Sequence, residues 1–112
     1  MTNHEAIAET LRDYFEGWYD GDAVRMERAL HPDLVKRSYK LTRILTRSDM
    51  VEMTRNGDGL EDGRDRRLTI SVHDVHGDIA CATVESAVYH EYVHLLRTDG
   101  GWKIVGTLWQ FA

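Results

Sequence analysis

Apolar and polar positions follow one period in the first half of the chain and another in the second. In the first half, apolar side chains recur at the three- and four-residue intervals of an amphipathic helix. Thr2-x-x-Glu5 reads as a capping box opening a helix whose apolar face is Ile7, Leu11, Tyr14, Phe15 and Trp18, running to about Tyr19. Gly17 costs that helix about 1 kcal/mol relative to alanine, a cost that close packing would explain. Asp20-Gly21-Asp22 forms a turn, and Asp22 N-caps a second helix from Ala23 to Leu30, stopped by Pro32. A third helix opens at Thr46-x-x-Asp49, presents Met50, Val51 and Met53 on its apolar side, and ends at Asn56-Gly57.

Between the second and third helices, Leu34 to Tyr39 and Leu41 to Leu45 are expected to be short strands. Gly57 to Asp65 holds three glycines, four acidic residues and one apolar side chain, Leu60, which predicts an exposed and mobile loop. From Arg66 onward the period becomes 2. Leu68, Ile70 and Val72 alternate with Arg67, Thr69, Ser71 and His73, and His76-Gly77-Asp78 turns the chain into a long strand from Ile79 to Tyr89. Two further strands join at Asp99-Gly100, an Asp-Gly turn signal. Three helices followed by an antiparallel meander predict a single α+β domain, residues 1–112, with the helices on one sheet face.

His90-Glu91-Tyr92-Val93-His94 spells H-E-x-x-H, whose zinc chemistry requires both histidines on one face of a helix. The surrounding Tyr, Val, Trp, Ile and Thr residues favour a strand instead. There the two histidines would stand roughly 13 Å apart, too far to share an ion. No metal site is expected; nor do His73 and His76, beside Asp74, have a third partner nearby.

A net charge of −5 and the absence of an uninterrupted basic block argue against nucleic acid as a partner. No apolar run approaches the roughly 20 residues of a membrane span. Met1-Thr2-Asn3-His4-Glu5 lacks the basic and apolar regions of a secretory signal, so a cytoplasmic location is expected. Cys81, within Ile79-Ala80-Cys81-Ala82, reads as a small buried thiol.

Three stretches, in this order and spacing, carry a resemblance that spans nearly the whole chain. They are Tyr14-Phe15-Glu16-Gly17-Trp18-Tyr19-Asp20-Gly21-Asp22, then Ala29-Leu30-His31-Pro32-Asp33, then Glu91-Tyr92-Val93-His94-Leu95-Leu96 running into Asp99-Gly100-Gly101-Trp102-Lys103-Ile104-Val105. The chain resembles the nuclear transport factor 2-like superfamily, and more narrowly its small bacterial proteins known as putative lumazine-binding and SnoaL-like. The resemblance implies a cone-shaped roll: three N-terminal helices packed on a strongly curved antiparallel sheet, with a pocket at the wide end. It also implies a homodimer through the sheet. Members include small isomerases, dehydratases, hydrolases and cyclases beside proteins that only bind or assemble. Members often have Asp where this chain has Glu91.

Pairing about Asp99-Gly100 sets Arg97 opposite Trp102, Leu95 opposite Ile104, Val93 opposite Gly106 and Glu91 opposite Leu108 on one face. His90, Tyr92, His94 and Leu96 take the other face with Lys103, Val105, Thr107 and Trp109, and a one-residue bulge would swap these sets. Two site models follow. In one, Glu91 faces the pocket with Glu85, desolvation raises one carboxyl into general-base range, and Tyr14 or His31 donates a hydrogen bond. In the other, His90, Tyr92 and His94 line the pocket with Trp109 and a histidine is the base. Both describe cofactor-free acid–base chemistry on a small, partly apolar molecule, in an aromatic cavity built with Trp18, Tyr39, Met50 and Met53. Packing and interface roles fit several of these residues equally. Tyr92 and Trp109 suit a dimer contact, His31 a helix end, and Glu85 a solvated strand face.

Overall fold

The computed structural model describes residues 1–112. Helix α1 spans Asn3–Asp20, α2 Ala23–Ala29 and α3 Arg47–Arg55; strands β1 to β5 span Leu30–Ser38, Leu68–His76, Ile79–Ser86, Tyr89–Thr98 and Gly101–Phe111. Capping boxes at Thr2/Glu5 and Thr46/Asp49 open α1 and α3, and Asp22 caps α2. At Gly17 a Cβ would sit 3.1 Å from the Met26 amide nitrogen and 3.2 Å from the Arg25 Cβ. This glycine therefore lets α2 pack directly on the α1 backbone.

The five strands form one sheet in the order β1-β5-β4-β3-β2. The sheet is mixed rather than wholly antiparallel, because β1 runs parallel to β5 along one edge. Pro32 lies within β1 instead of merely ending α2. It is tolerated because β1 is an edge strand whose register shifts between Leu30 and Val35. Leu41 to Leu45 is not a strand. Leu41 turns the chain with a positive φ of 48°, and only Leu45 bridges back to Lys36.

The expected strand from Ile79 to Tyr89 is broken at Ser86. The Ser86 hydroxyl accepts from the amides of Val88 and Tyr89, a serine turn with no Gly, Asn or Asp to announce it. This tight return sets Val84 opposite Glu91 and Glu85 opposite His90. The β4–β5 pairing follows the sequence register as far as Leu95 opposite Ile104. An extra residue, Val105, then bulges, so that His94 meets Gly106, Val93 meets Thr107 and Glu91 meets Trp109. The bulge turns Thr107 and Trp109 to the helix-facing side and Leu108 to the outside.

The core lies between the helices and that inner side. Ile7, Leu11, Tyr14 and Phe15 of α1 meet Val84, Val93, Leu95, Trp102 and Ile104 of the sheet, with Met26 and Met50 closing the flank. Asp62–Arg64 forms a single 3₁₀ turn inside the segment read as a mobile loop.

Candidate functional site

The helices and the inner sheet face enclose a cavity of about 170 Å³. An apolar cavity of about 150 Å³ holds a benzene-sized ring, so this one has room for a ring and a small substituent. Tyr14, Phe15 and Trp18 of α1, Met50 and Met53 of α3, and Leu45 form one wall; Lys36, Tyr89, Glu91 and Trp109 of the sheet form the other. Tyr14, Phe15, Lys36, Met50 and Glu91 are buried and make the floor, while Trp18, Leu45, Met53, Tyr89 and Trp109 are half-buried and rim the opening.

Three polar side chains converge on this apolar floor. Tyr14 is placed by the α1 stripe that also buries Leu11, Glu91 by the alternation that buries Val93 and Leu95, and Lys36 by the inward side of β1 shared with Leu34. Glu91 is 1% exposed. The Tyr14 hydroxyl donates to Glu91 Oε2 at 2.7 Å, and Lys36 Nζ donates to the Tyr14 hydroxyl and stands 3.4 Å from the same carboxylate oxygen. The ammonium also lies over two rings, 4.9 Å from the centroid of Tyr14 and 5.7 Å from that of Trp109. An ammonium has three N–H donors, and Tyr14 and Glu91 take two. The Nε1 of Trp109 is buried with no hydrogen-bond partner.

Burial, reinforced by the negative charge of Glu91, pushes the Tyr14 phenol well above its usual value of 10.0. Burial pulls the Lys36 ammonium below its usual 10.5, with Glu91 partly offsetting the fall. The phenol therefore stays protonated as a donor, while the amine loses its proton more readily than a solvated lysine does.

One further carboxylate organises the rim. Asp62 Oδ2 accepts from Trp18 Nε1 at 2.8 Å and from the Tyr89 hydroxyl at 2.5 Å. Gly59 is buried because its backbone lies on Trp18: a Cβ there would stand 2.6 Å from indole ring atoms and fall on the Trp18 carbonyl. The segment Gly57 to Asp65 is thus docked on α1, a correction to its reading as a free loop. Its glycines serve close approach and its acidic residues include a specific acceptor.

Among the residues singled out in the sequence, Tyr14, Trp18, Met50, Met53, Glu91 and Trp109 meet around the cavity. Six others lie elsewhere. His90, Tyr92 and His94 occupy the outer sheet face, because the strand that turns Glu91 inward must turn its neighbours outward. Tyr92 is 57% exposed, with His90 packed edge-on at 5.2 Å. Glu85 shares that outer face, 3.6 Å from His90 Nδ1, because the Ser86 turn pairs Val84 with Glu91. His31 Nδ1 accepts from the Asp33 amide at 3.0 Å in a local turn of β1, and Tyr39 is exposed beyond the end of that strand. The H-E-x-x-H letters accordingly lie along a strand, with both histidines on the outside and the glutamate inside. Sequence reasoning missed Lys36, Tyr89, Phe15 and Leu45 as lining residues. Lys36 carried one signal, its alternation with Leu34 in a short apolar run.

No helix is long and apolar enough to cross a membrane. The model of the family described as "Putative lumazine-binding" matches residues 2–110. No curated protein matches the chain. Similar solved structures include an NTF-2-like protein of unknown function from Silicibacter pomeroyi DSS-3, 21% identical over 100% of both chains with a TM-score of 0.75. An NTF2-like protein of unknown function from Methylobacillus flagellatus KT is 20% identical, covering 96% of this chain and 90% of that one, with a TM-score of 0.69. A ketosteroid isomerase-like protein from Erwinia carotovora atroseptica SCRI1043 is 16% identical, covering 96% of this chain and 94% of that one, with a TM-score of 0.70. The cone of three helices on a curved five-stranded sheet is the fold of these NTF2-like structures, and the near-complete family match shows that the chain belongs to the family described as putative lumazine-binding.

Proposed function

We propose that this protein binds a small, partly apolar molecule bearing a carbonyl oxygen and acts on it by cofactor-free acid–base chemistry of the isomerase, dehydratase or cyclase type. The observation that carries the reading is the buried Lys36–Tyr14–Glu91 group opening onto an otherwise apolar cavity. Holding two opposite charges away from water costs several kcal/mol per ion, and apolar side chains of similar size would stabilise the fold as well or better. Ionisable groups held at that cost in a cavity are the pattern of a functional site.

The chemistry follows from the donors. A ligand carbonyl oxygen accepts from the uncommitted N–H of Lys36, which withdraws electron density from the carbonyl. Glu91 is the one carboxylate of the cavity and takes the proton from the carbon beside it. Tyr14, already bonded to Glu91, returns that proton at a second position. The apolar walls hold the ring, and the Trp109 indole N–H supplies a further donor. The family description names lumazine, a bicyclic ring with carbonyl groups; such a ring would fill the floor and reach the aromatic rim. The outer face, where Val35, Ile79, Tyr92 and Leu108 are exposed, supports a homodimer through the sheet as part of the same reading.

The test is deuterium exchange from solvent into the positions beside the carbonyl of single-ring ketones such as cyclohexanone, followed by NMR. The wild type accelerates exchange, and Glu91→Gln lowers the rate by about 10²–10⁴-fold while remaining folded. A wild type that exchanges none of the ketones, or a fully active Glu91→Gln, contradicts this mechanism. A second reading, a binding or interaction domain without turnover, is favoured by one observation. Lys36, Tyr14 and Glu91 already bond to one another with no ligand between them.

A further inference from the structure

We infer that Lys36 is a covalent capture site, its amine forming an iminium with a small aldehyde or ketone held in the cavity. The inference rests on the reading that the cavity takes a small carbonyl compound, and goes beyond it by assigning the lysine a bond-forming role.

Three observations carry it. The chain has three lysines, Lys36, Lys40 and Lys103, and Lys36 alone lines the cavity. Its Nζ stands among the Tyr14 and Trp109 rings with a carboxylate and a phenol in reach, so a proton acceptor and a proton donor flank the nucleophile. The residue is also lysine rather than arginine. Arginine would serve a permanent ion pair better, whereas lysine has a neutral form that attacks carbonyl carbon. Burial moves Lys36 toward that form.

The step balances in atoms and charge. Lys36 as the ammonium gives one proton to Glu91, directly or through Tyr14, and the free amine adds to the carbonyl carbon. The C=O π pair moves to oxygen, which takes a proton from Tyr14 or Glu91. A second proton transfer from nitrogen to that oxygen lets it leave as water while the C=N bond forms. Overall, R–NH₃⁺ and O=CR₂ become R–NH⁺=CR₂ and H₂O. The electrostatics favour this product specifically. The iminium keeps a positive charge beside the buried Glu91, whereas acylation of the amine would leave that carboxylate without a counter-ion.

The experiment treats the purified protein with benzaldehyde and sodium cyanoborohydride at neutral pH, digests it and maps benzyl groups by mass spectrometry. Cyanoborohydride hydride reduces C=N to a stable secondary amine. In parallel, tryptophan fluorescence follows binding of benzyl alcohol, which has similar size and no carbonyl. Burial lowers the Lys36 value and so raises its share of free base at neutral pH, and the cavity holds the aldehyde beside it, so labelling of Lys36 is expected to exceed that of Lys40 and of Lys103. Lys36→Arg, which keeps the charge but has no amine to attack a carbonyl, should lose the cavity adduct. Equal or lesser labelling of Lys36, with benzyl alcohol bound, overturns the capture site and leaves the binding reading standing. No binding of benzyl alcohol together with no preference for Lys36 overturns both.

Discussion

Lys36, Tyr14 and Glu91 are interdependent, and their interdependence is measurable. Removing one partner of a buried ion pair strands the other, so Lys36→Met should lower stability in urea by about 3–5 kcal/mol. Lys36→Met combined with Glu91→Leu removes both charges and should recover most of that loss; a double variant as weak as the sum of two damaging singles would contradict it. The same burial sets the response to alkali. Tyr14, and Tyr89 through its own burial and its bond to Asp62, have folded values raised above 10.0. Their contribution is complete below that value and is lost as pH rises through the folded values, so stability falls in alkali. Lys36 has the opposite sign: its folded value lies below 10.5, the folded state binds fewer protons there, and stability climbs as pH rises through that range. Urea midpoints against pH should therefore rise on approach to 10 and fall beyond it, and Lys36→Met should abolish the rise. A flat profile would contradict the burial of both groups. Tyr14 was legible in the sequence because the helical period points it inward, whereas the strand period made Glu91 a candidate without fixing which face of the last hairpin lines the cavity. Lys36 was not legible, because lysine is almost never fully buried unless paired, and its partners come from distant elements.

At the scale of elements, the site depends on three local irregularities. The Val105 bulge brings Trp109 and Thr107 inward, the Ser86 turn brings Glu91 opposite Val84, and the Gly59 approach seats Asp62 on the rim. Each is a departure from regular geometry that a period-2 or turn-residue pattern does not announce. This is why helices α1 and α3 and the last hairpin were readable while the pocket face was not. The docked segment yields a prediction. Asp62→Ala leaves the Trp18 indole N–H and the Tyr89 hydroxyl without their acceptor and should cost about 1–3 kcal/mol per bond. Gly59→Ala should damage the same contact sterically, and both variants should speed hydrogen exchange in residues 57–65 with little change in the sheet. Unchanged exchange there would mean that the segment is not held by Asp62.

At the scale of the molecule, a cone whose inner face is filled by helices leaves the outer face of β1, β5, β4 and β3 to be covered or to stay wet. Val35, Leu108, Tyr92 and Ile79 make that band apolar, with His90, His94 and Cys81 among them. The histidines expected at a catalytic centre thus lie on a candidate subunit interface. If two copies pair through this face, Tyr92→Glu with Leu108→Glu converts a dimer into a folded monomer in sedimentation experiments. A wild type that sediments as a monomer at all concentrations would contradict the dimer.

In the proposed function an apolar cavity floored by Lys36, Tyr14 and Glu91 takes a small oxygen-bearing ring. The chain has three tryptophans, two on the cavity and Trp102 in the core away from it, so their indole N–H signals in nitrogen-15 NMR report the site directly. Titration with acetophenone should shift the Trp109 and Trp18 indole signals saturably, with Trp102 unmoved. No shift of Trp109 at any concentration, or shifts confined to Tyr92 and His94 on the outer face, would contradict binding in this cavity.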